Sequence, residues 1–357
     1  MTNIVQWNEI EEQFSGGSLL LGNGASIAVS SNFSYKSLFQ AAKDNGFLTE
    51  PVQDVFDKFG VNDFELILRR LWQAKLVNEA LGIEKGEVEV AYENVRIALI
   101  NTVRKVHVTY EKAEPHLQHI ALFLKQFKTV LSLNYDLILY WSVMSGNASL
   151  GGSWFKDCFF NNEFQNDWGW MNKPFRGVDG STLVFYPHGN LTLYREGFSS
   201  EKKLLAGSSD LLNSIFNEWE KKGLSPLFVC EGLEGNKRES IGSSNYLERV
   251  FYEAIPSLKE TLVIYGWGFG DQDEHILEQI KKSEIKKVAV SIRNRNEVAI
   301  GIAEKKLNKI DIEDIIFFDS ASKGCWNIPM QDQGDGIDKE IHLKKISDVK
   351  GVENNWL

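Results

Sequence analysis

The chain has 357 residues, 39 Lys+Arg against 49 Asp+Glu, a formal charge of −10 at pH 7, 43% hydrophobic and 25% charged residues. That balance belongs to an ordinary globular protein and excludes a disordered or collagen-like chain. The acidic surplus argues against general nucleic-acid binding, which needs a basic footprint to neutralise phosphates.

Residues 18–21 form an apolar run that enters Gly22-Asn23-Gly24-Ala25-Ser26, predicting a buried strand, a glycine turn and a helix start. About residues 35–128 predict a helical insertion, because apolar side chains recur at spacings of three and four (Phe64, Ile67, Leu68, Leu71; Val95, Leu99, Thr102, Val103). Pro51 and Pro115 are expected between those helices. Residues 129–133 (TVLSL) predict a strand that runs into Asn134-Tyr135-Asp136. The aromatic, Asn-rich stretch 154–170 predicts a loop or small cap, within a cap region of about 151–180. Residues 182–186 (TLVFY), ending at Pro187-His188-Gly189, and 226–230 (PLFVC) predict two more strands. A helix is expected over 246–255, a strand over 261–265 (TLVIY) ending at Gly266-Trp267-Gly268, and a helix over 272–282. Residues 287–292 (KVAVSI) and 315–318 (IIFF) complete the strands. Strands apolar nearly throughout and separated by helices predict an α/β fold: a Rossmann-like parallel sheet with helices on both faces, in a single domain over 1–357. Ligands of such sheets sit at the carboxyl ends of the strands.

Cys158, Cys230 and Cys325 are too few and too scattered for a disulfide framework or a C-x-x-C zinc pair, which points to a reducing, cytoplasmic setting. Residues 1–14 lack the basic and apolar segments of a signal peptide. Apolar runs such as 261–265 and 120–124 fall far short of the roughly 20 residues of a membrane span, so no membrane partner is expected.

Four motifs fall at strand ends. In Gly22-Asn23-Gly24-Ala25-Ser26, small residues allow backbone N–H groups to approach a phosphate beside a helix N-terminus; a plain tight turn is the other reading. No G-K-[ST] follows, and Ile27 stands where G-x-G-x-x-G needs its third glycine. Asn134 and Asp136, two apart, project from one side of an extended segment, where they suit ribose hydroxyls or a water, or simply cap the next helix. His188 is the one histidine in a strand-end turn, unlike His107, His116, His119, His275 and His342, and an imidazole can take a proton from a hydroxyl near neutral pH. In Gly266-Trp267-Gly268-Phe269-Gly270-Asp271-Gln272-Asp273, alternating glycines again permit close backbone approach, and Asp271 suits a helix cap or a ribose. The D-x-D has no evident third acidic partner, so no metal is expected there.

In this order and at these strand ends, GNGAS, SLNYD, PHG and GWGFGD make the chain resemble the sirtuin-like NAD-binding family from about residue 19 to 320. Glu231-Gly232, Lys237, Ile241 and Ser244-x-Tyr246-Leu247 are similar to its divergent bacterial group, many of whose members are NAD⁺-degrading effectors of antiphage defence. The resemblance implies that Gly22, Asn23, Gly24, Ala25 and Ser26 form the pyrophosphate turn. It implies that Asn134 and Asp136 hold the nicotinamide ribose and the attacking water, with His188 as general base. Gly266, Gly268 and Asp271 would contact the adenosine half, and Arg293, Asn294, Asp319 and Ser320, by position, would close over the adenine. Two departures stand out. Asn23 replaces the family's usual alanine, and Gly268 replaces a serine, which removes one hydroxyl contact.

The implied activity is metal-independent NAD⁺ hydrolysis, with NAD⁺ as substrate and nicotinamide and ADP-ribose as products. In a defence effector it would be gated by a separately encoded activator, a signal nucleotide or oligomerisation, and would act by NAD⁺ depletion. A noncatalytic sensor of NAD or ADP-ribose-type nucleotides is the alternative. An NAD-dependent protein deacylase is disfavoured, because three scattered cysteines cannot build the four-cysteine zinc module that shapes the sirtuin peptide channel.

Overall fold

A computed structural model describes residues 2–34, 37–83, 86–150, 154–175, 178–195, 201–204, 211–222, 225–228, 234–312 and 314–330. Cys230, Glu231, Gly232 and His342 lie outside the described residues, as do the first three residues of the 154–170 cap's approach, 151–153. Eight strands form the main sheet: β1 (Ile4–Val5), β2 (Ser18–Leu21), β3 (Thr129–Ser132), β4 (Phe155–Lys156), β5 (Thr182–Phe185), β6 (Lys259–Tyr265), β7 (Glu284–Ile292) and β8 (Asp314–Asp319). Their order is β1-β8-β7-β6-β2-β3-β5-β4, and every neighbouring pair is parallel. With the short β1 and β4 set aside, the first strand is central, the next two lie to one side and the last three to the other. This is the doubly wound Rossmann order, and its crevice lies where the order reverses, between β2 and β6.

The strands form because their residues have nowhere wet to face. Leu19, Leu20, Leu21, Val130, Leu131, Leu183, Val184 and Phe185 are all buried, as a parallel sheet covered on both faces requires. Helices follow the strands: α1 (Asn23–Val29) after β2, α2 (Ile138–Ser149) after β3, α3 (Glu274–Lys281) after β6 and α4 (Glu297–Asn308) after β7.

The helical insertion lies between α1 and β3 as helices Leu38–Asp44, Glu50–Phe59, Phe64–Leu81, Glu87–Val106 and Tyr110–Leu124. The stripes expected to face inward do so: Phe64, Ile67, Leu68, Leu71, Val95, Leu99, Thr102 and Val103 are buried. Pro51 sits in the first turn of Glu50–Phe59, where its missing N–H is not needed. Pro115 is a correction, since it lies inside Tyr110–Leu124. An interior proline costs about 3 kcal/mol. Leu117, Ile120, Phe123 and Leu124, all buried beyond it, outweigh that at roughly 1.5–3 kcal/mol each.

A second sheet is antiparallel and runs Ser225–Phe228, Gly189–Arg195, Glu201–Lys203, Glu163–Phe164, Phe159–Phe160. The described part of the PLFVC segment, within Ser225–Phe228, belongs here and not to the parallel set, its partner being Gly189–Arg195. Gly189 makes the junction possible. It has φ +75°, and a Cβ there would lie 2.1 Å from the Leu227 carbonyl oxygen. The helix expected over 246–255 begins as Asn245–Arg249 and widens into a π turn, Val250–Ala254.

Candidate active site

β2 and β6 are neighbours, so the turns after them meet at the switch point. Gly22 N–H donates to the Tyr265 carbonyl at 2.9 Å, and Gly24 N–H donates to the Gly266 carbonyl at 2.7 Å. A Cβ on Gly22 would stand 2.5 Å from Trp267 Cα, and one on Gly24 2.7 Å from Gly266 Cα. Gly266 has φ +70°, and a Cβ on it would lie 2.4 Å from the Ala25 nitrogen. Close approach of two loops is what these glycines allow here. The expected pyrophosphate cradle is corrected to that extent: the N–H groups of Gly22, Gly24 and Ala25 are all engaged by backbone carbonyls, the last by Gly22 at 2.9 Å. Gly268 differs, because a Cβ on it meets nothing within 4 Å.

The end of β3 supplies the polar centre. Asn134 Nδ2 donates to the Gly22 carbonyl and to Ser26 Oγ, both at 2.9 Å. Ser26 Oγ in turn donates to Asp136 Oδ2 at 2.5 Å. Asp136 Oδ1 accepts the Ile138 N–H at 2.9 Å, so the capping reading of this residue is realised. Asn23 points away, its side chain donating to the Phe33 carbonyl. Both Asp136 oxygens are thus used within the protein, whereas Asn134 is half-buried. Burial pushes the Asp136 carboxyl up, opposed by His107 and by the Ser26 hydroxyl. His107 Nε2 accepts the Leu137 N–H at 3.0 Å, which places its proton on Nδ1, directed at the Val108 carbonyl at 2.7 Å. Burial lowers that imidazole's pKa, with Asp136 opposing.

His188 is buried one turn beyond β5. Its Nε2 lies 2.9 Å from His275 Nε2, and the two rings stack with centroids 5.1 Å apart. Asn134 follows β3 and His188 follows β5, the strand paired beside it. Burial, then Lys237, hold the His188 imidazole well below its usual value, with Asp273 opposing. Asp273 Oδ1 accepts from Lys237 Nζ at 2.6 Å, and Oδ2 from Trp267 Nε1 at 3.4 Å. Burial works to raise the Asp273 carboxyl, yet His188, Lys237 and His275 together keep it below the ordinary range. Lys237, Asp273 and His275 are given no catalytic or binding role in the sequence reading, although Lys237 carries part of the resemblance and Asp273 stands in the fourth motif. Asp273-x-His275 was the available signal, but its partners come from residues far away in the chain.

The other expected residues divide. Asp271 turns outward, its side chain 93% exposed and paired with Lys306 Nζ at 2.6 Å. Arg293 lines a cleft of about 110 Å³ together with Trp267, Gly268, Phe269 and Asn296. Sites that enclose a whole small ligand measure about 300 Å³ or more, so the cleft as it stands accommodates a fragment. The Trp267 and Phe269 rings stack with centroids 4.5 Å apart. Asn294 is exposed beside Arg293 with φ 54°. Asp319 accepts the Ala321 N–H at 2.9 Å, and the Ser320 carbonyl accepts from Tyr265 OH at 3.1 Å, so both serve the turn after β8.

Residues 19–326 match a family model described as a domain of unknown function (DUF4917). The chain belongs to the DUF4917 family. No curated protein matches it. The DUF4917 span ends at Trp326, whose indole N–H donates to the Ala25 carbonyl at 2.8 Å. The matched segment therefore begins in the strand that carries the first glycine turn and ends on the helix that follows that turn, with the whole candidate site between.

Proposed function

We propose that this DUF4917 chain is an NAD⁺ hydrolase that cleaves the nicotinamide–ribose bond and serves as a gated effector of antiphage defence by NAD⁺ depletion. The observation that carries the reading is the Asn134–Ser26–Asp136 network at the switch point of a doubly wound sheet, with His188 at the end of the strand beside β3. The sirtuin-like order of the four motifs supports the choice of substrate.

In the proposed reaction a water oxygen bonds to the anomeric carbon while the bond to the pyridinium nitrogen breaks. The bonding pair leaves with nicotinamide, which departs neutral. The water's proton passes to His188 once its Nε2 is released from His275. Asn134 orients the ribose or the water, and Ser26 and Asp136 hold Asn134 in place, so positioning supplies much of the rate. The adenosine half would extend toward Trp267 and Arg293. Engaged N–H groups in the first turn and a buried His188 fit an enzyme idle until an activator, an oligomer or a signal nucleotide opens the crevice.

The same burial favours a second reading, a noncatalytic sensor of NAD or a related nucleotide. Nicotinamide released from NAD⁺ alone supports the hydrolase, and because the idle enzyme would stay silent in that assay, the activated protein is the one that separates the two. Expression of the activated protein is expected to release nicotinamide and ADP-ribose and lower cellular NAD⁺, and Asn134→Ala is expected to reduce this by about 10²-fold or more. NAD⁺ retained intact on the protein would favour the sensor, and an Asn134→Ala variant that depletes NAD⁺ like the parent would overturn the site assignment.

A further inference from the structure

We propose that His188, His275 and Asp273 form a binding site for one late first-row divalent metal ion, with Zn²⁺ the expected occupant. One ligand atom from each residue can be chosen such that all three lie within 4.8 Å of one another. The two Nε2 atoms are 2.9 Å apart. Two imidazoles on a tetrahedral Zn²⁺, with bonds of about 2.0–2.1 Å, stand roughly 3.3 Å apart, so the rings need separate by only about 0.4 Å to admit the ion.

The surroundings orient the donors in the way ligands are usually held. His188 is buried, its ring stacked on that of His275 with centroids 5.1 Å apart. Asp273 is fixed by Lys237 on Oδ1 at 2.6 Å, while Oδ2 makes only a long contact to Trp267 at 3.4 Å. His275 is fully buried, its ring 5.7 Å from that of Phe251, which gives the site an apolar wall. Two imidazoles and one carboxylate suit Zn²⁺ and leave a fourth position for water or another ligand. The three come from two distant strand ends, so binding ties the turn after β5 to the start of α3.

The site has a consequence that rests on the hydrolase reading. A His188 Nε2 lone pair bound to metal cannot accept a proton from water, so occupancy and hydrolysis exclude each other.

The test is titration of the metal-free full chain with Co²⁺. One equivalent is expected to give the visible absorption of a four- or five-coordinate ion, and Zn²⁺ is expected to displace it. His275→Gln and Asp273→Asn, checked for folding by circular dichroism, are expected to weaken Co²⁺ binding at least about tenfold. A parent chain that gives no such absorption overturns the site without recourse to any variant. So does His275→Gln binding as tightly as the parent. One equivalent of Zn²⁺ is further expected to suppress nicotinamide release. Metal binding by a protein that never releases nicotinamide keeps the site and removes the hydrolase. Nicotinamide release unaffected by bound Zn²⁺ removes His188 as the base.

Discussion

Glu65 offers a prediction whose size follows from its surroundings. It lies in the first turn of helix Phe64–Leu81, 4% exposed, two residues from the fully buried Asp63, which caps that helix by accepting the Leu66 N–H at 3.1 Å. Burial, and then the Asp63 charge, raise the Glu65 carboxyl from 4.5 to about 7, against opposing pulls from the Arg69 and Arg195 charges. Each pKa unit corresponds to about 1.4 kcal/mol, so ionising Glu65 in the folded chain costs about 3 kcal/mol more than in the unfolded one. The folded pKa lies above the unfolded value, so the folded state holds the extra proton between about 4.5 and 7. The stability from this group is complete below that window and is lost as pH rises through it. Glu65→Gln keeps the shape and removes the titration. Urea unfolding of the two proteins, measured from pH 5 to 8, is expected to diverge, the parent losing about 2–3 kcal/mol relative to the variant, since part of the loss already falls below pH 5. Subtracting one curve from the other cancels His107 and His188, whose lowered values tilt stability the opposite way. Parallel curves across the window would refute the burial argument.

Gly24→Ala is expected to destabilise by about 1–3 kcal/mol, because its new methyl meets backbone atoms of Gly266 at 2.7 and 2.8 Å. Gly268→Ala, with open space around it, is expected to stay within about 0.5 kcal/mol by thermal melt; equal losses at both positions would contradict the loop-packing account. His107→Phe leaves the buried Leu137 N–H without its acceptor and is expected to lose about 1–3 kcal/mol in denaturant unfolding.

Much of the main sheet was legible because its strands are short apolar runs bounded by turns, a pattern that survives without knowledge of their partners. The antiparallel sheet was not. Gly189–Arg195 alternates polar and apolar residues, yet its Asn190 and Thr192 are buried, Asn190 donating to the Asp136 carbonyl. Asn134, Ser26 and Asp136 were legible as strand-end residues, and their contact follows from β2 and β3 being neighbours. His188 was legible, but its partner was not. His275 lies 87 residues away, and nothing local indicates that the two rings meet. Asp271 and Asp273 differ for a similar reason. They share one short 3₁₀ turn, and only Lys237 and Trp267 on one side, with Lys306 on the other, decide which carboxylate faces inward.

The glycines of the switch point serve the proposed gate through their hydrogen bonds. Opening the crevice breaks the Gly24-to-Gly266 and Gly22-to-Tyr265 bonds, about 1 kcal/mol each, and re-exposes part of the Trp267–Phe269 stack, roughly 2 kcal/mol more. The sum of about 4 kcal/mol leaves roughly one molecule in 10³ open, which suits the effector proposed above, whose activity must stay low in its own cell. The Gly24 amide reports this directly. Its hydrogen exchange is expected to be slowed only about 10³-fold, far less than the amides of Val263 and Ile264 in the centre of β6, which open with the whole fold. An activator that binds the open form is expected to speed Gly24 exchange and leave Val263 unchanged. If Gly24 exchanges only with global unfolding, the two turns are a fixed weld and the gate does not lie between them.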